Sequence, residues 1–135
     1  ENLLKQADFI SINCDLNPTS RGLIDREAFR LMKANAVLIN TARGSIVVED
    51  ALVEALRDKS IAGAALDVFE DEPLPAESPL YAMNNVLLAP HNANSSPRAW
   101  ERVRLNTLRN LIAGLGLSIP TNLDEMESNG QKNSD

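Results

Sequence analysis

Short apolar runs alternate with amphipathic stretches along most of the chain. The four runs are ADFISIN (7–13), AVLIN (36–40), IAGAALDVF (61–69) and NVLLAP (85–90). Each has the length of a strand and is bounded by polar or turn-forming residues, which predicts four β-strands. AVLIN contains no polar residue before its end, and this predicts a strand buried on both faces, as in parallel sheets covered by helices.

Helix start signals lie between and after these runs. Asp25 is a good N-cap for one helix, and a second helix is predicted over residues 49–58, where apolar residues recur at helical spacing. Ser96 followed by Pro97 predicts the start of a last helix. Alternating strands and helices predict an α/β fold, a partial Rossmann-type doubly wound parallel sheet of about four strands, which is half of such a domain.

The two ends of the chain differ in composition from its middle. After Pro120 the sequence is polar and acidic (TNLDEMESNGQKNSD), which is typical of disorder. We therefore expect residues 1–117 to form the second half of such a doubly wound domain and residues 118–135 to be a disordered polar tail. Because the chain starts at Glu1 within an amphipathic stretch, we also expect it to begin inside a larger domain.

Composition narrows the classes of function. With 135 residues, 44% of them hydrophobic, the chain can bury one core, and its net charge of -6 argues against a nucleic-acid surface. No apolar run approaches the roughly 18 residues of a membrane span, and no signal segment precedes the first strand. Cys14 is the only cysteine, so no internal disulfide forms, which fits a reducing compartment. From these features together we expect a cytoplasmic protein without membrane partners. One cysteine and one histidine do not make a metal-ligand set, so no metal site is expected.

Three ionisable residues each follow the end of a predicted strand. Arg43 follows AVLINTA, Glu72 follows IAGAALDVF, and His91, the only histidine, follows NVLLAP. In open α/β sheets, sites form beyond the carboxyl ends of the parallel strands. A guanidinium fork suits a carboxylate, and an imidazole is the natural acid or base near neutral pH. These residue types at one rim predict a site that binds an anionic substrate and moves a proton.

Each of these residues also has a plainer interpretation. Taken alone, Arg43 fits a surface arginine in a turn better than a substrate ligand, and a single histidine such as His91 is often structural. Glu72 belongs to the acidic cluster Glu70-Asp71-Glu72, in which the spacing does not say which carboxylate points inward.

Two further residues are unusual for their surroundings. Asp67 falls inside an otherwise apolar strand, and because a buried carboxylate is costly without partners, it needs donors. Those donors are either neighbouring backbone amides or an amide of a cofactor. Cys14 has no histidine near it in sequence, so a buried or pocket-lining thiol is favoured over a nucleophile.

Three motifs, in order, resemble a known family. NTARG (40–44), GAALDVFEDEPL (63–74) and APH (89–91) resemble the C-terminal part of the NAD-binding domain of the D-2-hydroxyacid dehydrogenases, which include phosphoglycerate dehydrogenase and glyoxylate/hydroxypyruvate reductase. The likeness extends over residues 7–116. It implies an enzyme that transfers hydride between NAD, with NADP not excluded, and a small 2-keto or 2-hydroxy acid. The intact enzyme is expected to be a homodimer.

The resemblance also implies roles for individual residues. Arg43 would bind the substrate carboxylate and the reacting oxygen, His91 would protonate that oxygen, and Glu72 would orient the ring and favour its charged form. Asp67 would hold the nicotinamide carboxamide. The residues expected to border the cofactor, besides Arg43, Asp67 and His91, are Asn13, Cys14, Asp15, Thr41, Ala42 and Asn94.

The chain departs from the family pattern in three places. Asn13-Cys14-Asp15 stands where the family often has His-x-Pro, and this variant is closer to the C-terminal-binding-protein corepressors. Residues 92–95 read NANS where glycine-rich sequences are common, and no G-x-G-x-x-G phosphate loop is present. The alternatives to an enzyme are therefore an NAD-sensing binding module like those corepressors, or an inactive truncated product. The isolated chain is expected to be inactive and to bind NAD weakly.

Overall fold

A four-stranded parallel sheet organises the first part of the molecule. The computed structural model describes residues 2–118, and the chain divides after Ala93 into two units. The first unit contains all four strands, which lie in the order β1-β2-β3-β4 and are all parallel. They are β1 (Phe9–Ile12), β2 (Val37–Asn40), β3 (Gly63–Leu66) and β4 (Val86–Leu88). The predicted α/β, Rossmann-type parallel sheet is confirmed.

Helices accompany the strands of this unit. The helix α1 (Asn2–Gln6) precedes β1, whereas α2 (Arg26–Leu31) and α3 (Glu49–Arg57) connect the first three strands, and short 3-10 turns lie at Gly44–Ile46 and Pro79–Ala82. The side chain of Asp25 accepts a hydrogen bond from the amide of Ala28 at 2.9 Å, so the N-cap expected from the sequence is present. The helix α1 was not assigned from the sequence, although its residues lie in the amphipathic stretch that leads into β1.

The strand register brings the four carboxyl ends to one rim. Ile12 lies opposite Asn40, Asn40 opposite Leu66, and Leu66 opposite Leu88. Each strand ends at or immediately after this row, so the four following loops leave the sheet from the same edge. The loops that carry the predicted site residues are therefore neighbours.

One face of the sheet forms the core, together with α2 and α3. Leu38 is fully buried on that face, and Phe29 and Leu52 belong to the same apolar cluster. The opposite face is open, with Phe9 72% and Leu87 70% exposed. The expectation that AVLIN is buried on both faces is wrong, because only alternate residues of β2 are buried.

The second unit begins at Asn94 and contains α4 (Pro97–Gly114). The side chain of Ser96 accepts a hydrogen bond from the amide of Ala99 at 3.1 Å, and Pro97 occupies the first turn, as the sequence predicts. Within residues 2–118, no helix is long and apolar enough to cross a membrane. Apart from residue 118, the tail predicted to be disordered lies outside the described residues.

A leucine on the core face of the sheet and a leucine on its open face should differ sharply in their contribution to stability. Leu38→Ala should lower the free energy of unfolding by about 2–5 kcal/mol, because it removes a fully buried side chain and leaves a cavity. Leu87→Ala, on the open face of β4, should change it by no more than about 0.5 kcal/mol. Urea denaturation of both variants measures the two values, and equal losses would contradict the assignment of the two faces.

Candidate active site

The structure brings Glu72 and His91 into direct contact. The ring nitrogen Nδ1 of His91 lies 2.7 Å from Oε2 of Glu72, and Oε1 of Glu72 accepts a hydrogen bond from the amide of Phe69 at 3.0 Å. Glu72 is therefore the member of the acidic cluster that points to the histidine, which spacing alone did not decide. Because Nδ1 is bound to the carboxylate, the other ring nitrogen, Nε2, is the one that can exchange a proton with a substrate.

The charges around Glu72 favour its ionised form. The hydrogen bond to His91 is the largest cause that holds the pKa of Glu72 below its usual range, and the amide of Phe69 acts in the same direction. The positive charge of Arg43 also lowers the pKa of this carboxyl, while partial desolvation opposes the change. The arginine, the carboxylate and the imidazole thus act on one another electrostatically at the same rim.

The loop that carries Arg43 is shaped by Asn40, a residue that the sequence analysis did not single out. Asn40 is 1% exposed. Its side-chain amide donates to the carbonyl of Arg43 at 3.0 Å, and its Oδ1 accepts from the amide of Ala42 at 3.1 Å. Asn40 ends β2 on its buried face, and an amide at such a position must find partners. An asparagine at the end of an otherwise apolar strand was therefore the signal in the sequence that could have identified this residue.

Asp67 fixes the segment that follows His91. It lies one residue beyond β3, rather than inside the strand as expected, and it is 5% exposed. Its two carboxylate oxygens accept hydrogen bonds from the amides of Asn92 and Ala93, both at 2.8 Å. Backbone amides are therefore the donors that the buried carboxylate requires. An ionised carboxylate has about four acceptor positions, so this arrangement leaves capacity for a further donor.

The backbone of His91 is itself unusual. His91 has φ +54, in the left-handed region that only a minority of non-glycine residues adopt. The two amides held by Asp67 come directly after it. The histidine is therefore fixed from two sides, by Glu72 at its ring and by Asp67 through the following backbone.

A crevice of about 540 Å³ lies at the carboxyl ends of β1 and β2. Besides Arg43, it contains five of the residues expected to border the cofactor. Cys14 is exposed there, so the pocket-lining interpretation of its thiol is right and the buried one is wrong. The five are Asn13, Cys14, Asp15, Thr41 and Ala42. Asn94 is the first residue of the second unit, and its role stays a prediction.

A second cavity, of about 520 Å³, adjoins the Glu72–His91 pair. Its walls are mainly apolar, and they include Phe69, Leu74 and Tyr81. A larger cavity of about 770 Å³ lies at the amino ends of β3 and β4 and contains none of the predicted site residues. Because open α/β sheets place their ligands at the carboxyl ends, the two rim cavities are the candidates. Across residues 2–118, no group of three or more His, Cys, Asp or Glu side chains could hold a metal ion.

Replacement of His91 should raise the pKa of Glu72 toward its usual range. The hydrogen bond to the ring is the largest cause of the lowering, so His91→Gln removes most of it, whereas the bond from Phe69 remains. A carboxyl with a lowered folded pKa stabilises the fold above its unfolded pKa, and this stabilisation is lost as the pH falls through the folded value. The variant should therefore lose part of its acid-dependent change in stability.

A carbon-13 NMR titration of the glutamate carboxyls measures this change. Glu54 provides an internal control, because its pKa is lowered by Arg26 and should not respond to His91→Gln. An unchanged Glu72 titration would mean that the contact with His91 does not form in solution.

Comparison with known proteins gives the family of this arrangement. The sequence profile described as D-isomer specific 2-hydroxyacid dehydrogenase, NAD binding domain, matches residues 1–93. The glyoxylate reductase of Thermofilum pendens is 47% identical over 127 residues, which are 94% of this chain and 38% of that protein. A glyoxylate reductase of Korarchaeum cryptofilum is 43% identical over the same shares. The chain thus spans less than two fifths of the length of these curated relatives.

A solved structure agrees with the sequence comparison. The D-isomer specific 2-hydroxyacid dehydrogenase of Xanthobacter autotrophicus, in complex with NADPH and MES, has a TM-score of 0.74 at 39% identity, over 87% of this chain and 48% of that one. The profile match covers the whole unit that carries the sheet and its rim, and the resemblance seen in the three sequence motifs is confirmed. The chain belongs to the D-isomer specific 2-hydroxyacid dehydrogenase family, in the part that forms its NAD-binding domain.

Proposed function

We propose that this chain is part of an NAD-dependent 2-hydroxyacid dehydrogenase. It supplies the group that transfers the proton and the group that binds the carboxylate of the substrate. The reaction is reversible hydride transfer between a nicotinamide cofactor and a 2-keto or 2-hydroxy acid. The contact between Glu72 and His91, at the rim that also carries Arg43, is the observation that supports it most. An imidazole held by a carboxylate, at a rim that also carries a guanidinium, supplies the proton donor and the carboxylate-binding group that the reduction of a keto acid requires from the protein.

In the reductive direction His91 acts as the acid. Its Nε2 gives a proton to the carbonyl oxygen, while Glu72 keeps the ring oriented through Nδ1. In the oxidative direction the neutral ring takes the proton back. Arg43 binds the substrate carboxylate through two parallel hydrogen bonds, and Asn40 holds the turn from which that arginine projects.

The crevice at residues 12–16 and 41–43 fits a cofactor with polar and apolar parts. Asn13, Cys14 and Asp15 would border the adenosine, Thr41 and Ala42 would lie beside the nicotinamide ring, and Asp67 has acceptor capacity left for the carboxamide. When bound, the nicotinamide supplies or accepts the hydride. The relative from Xanthobacter autotrophicus was solved with NADPH. A second relative, the D-isomer specific 2-hydroxyacid dehydrogenase of Lactobacillus delbrueckii, was solved in an NAD-complexed form. It is 32% identical to this chain and has a TM-score of 0.72, over 87% of this chain and 40% of that one. NAD is proposed here, and NADP is the alternative that a binding comparison tests.

A short 2-keto acid is the proposed substrate class. The glyoxylate reductases support it, because glyoxylate consists of little more than the carboxylate and carbonyl that Arg43 and His91 address. The apolar cavity beside the pair would accommodate a small carbon substituent. The homodimer and the cytoplasmic location stay predictions, which sedimentation of the whole protein and cell fractionation test.

A corepressor-like NAD-sensing module is the second candidate. The observation that favours it is Asn13-Cys14-Asp15 in the cofactor crevice, because this variant resembles that branch of the family. Dinucleotide binding without turnover of any keto acid would select this candidate over the enzyme.

A chimaera tests the function directly, with the chain replacing the matching segment of the Thermofilum pendens glyoxylate reductase. It should reduce glyoxylate with NADH or NADPH. Introducing His91→Gln should lower its turnover by about 10²–10⁴-fold, because a general acid contributes that much, while the dissociation constant of the cofactor stays nearly unchanged. Near-normal turnover of the variant would remove His91 from the role of acid, and a folded chimaera that binds cofactor without turnover would favour the sensing module.

Arg43→Lys should impair use of the keto acid far more than binding of the cofactor. Lysine keeps the charge but loses the planar fork, and loss of one charge-assisted hydrogen bond lowers kcat/KM by about tenfold or more. Arg21→Lys is the matched control, since Arg21 lies outside both rim cavities. Equal changes in kcat/KM and in the NADH dissociation constant would mean that Arg43 supports the loop and not the substrate.

A further inference from the structure

We propose that Gly44 and Glu49 form a seat on which the loop of residues 69–72 rests, and that this seat positions Glu72 and, through it, the ring of His91. Both are positioning residues, since neither contacts the ring. The catalytic meaning of the seat rests on the proposed function, whereas its geometry does not.

The first contact of the seat is between two backbones. Gly44 is buried, and a Cβ built on it would lie 1.8 Å from the carbonyl oxygen of Phe69 and 2.4 Å from the amide nitrogen of Glu70. These distances are far inside van der Waals contact, so any side chain at residue 44 must displace the backbone of Phe69 or move itself. Glycine is required here by the close approach of the loop and not by its own φ.

The second contact involves a carboxylate at the start of α3. Oε2 of Glu49 accepts a hydrogen bond from the amide of Glu70 at 3.4 Å. The bond is long, but it meets the same peptide group that lies against Gly44. One peptide of the loop is therefore held by the bare Cα of Gly44 and by the side chain of Glu49.

The held peptide is directly connected to the reacting pair. The carbonyl of Phe69 lies against Gly44, and the amide of the same residue donates to Oε1 of Glu72. The other oxygen of Glu72 contacts His91. A displacement of Phe69 therefore reaches the histidine ring through two hydrogen bonds.

Of the two segments in contact, the one that follows Gly44 is held more firmly than the loop of residues 69–72. The segment after Gly44 is bonded to the loop before α2, from Gly22 to the carbonyl of Ser45 at 2.9 Å and from Ile24 to the carbonyl of Ile46 at 3.0 Å. A further bond from Val48 to the carbonyl of Ile24 completes a short parallel bridge. A side chain added at residue 44 should consequently move the loop 69–72, in which residues 70–72 are exposed.

The test uses the histidine ring as its reporter. His91 is the only histidine in the sequence, so an isotope-labelled chain gives one set of imidazole signals. Gly44→Ala should move the ring nitrogen-15 shifts to those of Glu72→Gln, the reference in which the carboxylate is lost. It should also return the Glu72 carboxyl titration toward its usual range. Gly114→Ala, where a Cβ meets no atom within 4 Å, should change neither signal.

Folding is checked by the amide signals of the strands. A folded Gly44→Ala that keeps the wild-type ring shifts would overturn the proposal. If Gly44→Ala does not fold, Glu49→Ala decides, because it removes the acceptor of the bond from Glu70, with Asp50→Ala, the next residue of α3, as its control. Glu49→Ala should shift the ring signals in the same direction by a smaller amount, and signals identical to those of Asp50→Ala would overturn the proposal. Because these spectra need neither cofactor nor substrate, an inactive chimaera would refute the proposed function and leave this result unaffected.

Discussion

The parallel register of the sheet is the constraint on which the rest of the structure depends. Ile12, Asn40, Leu66 and Leu88 form one row across the four strands, so each following loop starts at the same edge. Arginine, glutamate and histidine, separated by up to 48 positions, then need only short loops to meet. A one-residue slip of any strand would turn its buried residues to the open face and remove its loop from this row. The hydrophobic pattern therefore specifies the site as well as the core.

Beyond this row of residues, hydrogen bonds of buried polar side chains, and not apolar packing, hold the loops in place. Asn40 bonds the turn before Arg43, and Asp67 bonds the two amides after His91. Without these bonds the buried side chains of Asn40 and Asp67 would be unsatisfied, which costs about 1–3 kcal/mol per group. The catalytic candidates themselves are exposed, and their support is not. This division leaves the candidate side chains accessible while their backbones stay fixed.

Much of this could be predicted from the chain alone, and the exceptions have physical reasons. Strand positions followed from apolar runs, and the helix starts followed from Asp25 and Ser96, because both signals are local. The choice of Glu72 within its acidic cluster could not be made, because it depends on a loop conformation fixed by the distant Gly44 and Glu49. Burial of AVLIN on both faces was wrongly expected, because an unbroken apolar run does not reveal what covers each face. Asn40 was not identified because its burial, which makes its hydrogen bonds necessary, becomes visible only when the sheet is assembled.

The bonding of Asp67 has a consequence for how this sequence can diverge. Asp67 contacts the main-chain amides of Asn92 and Ala93 and requires nothing of their side chains. Every residue type except proline offers the same amide. Side chains other than those of Asn92 and Ala93 can therefore stand at these two positions without altering the support of the preceding histidine. Variation at these positions can change the surface beside His91, while the histidine itself stays in place.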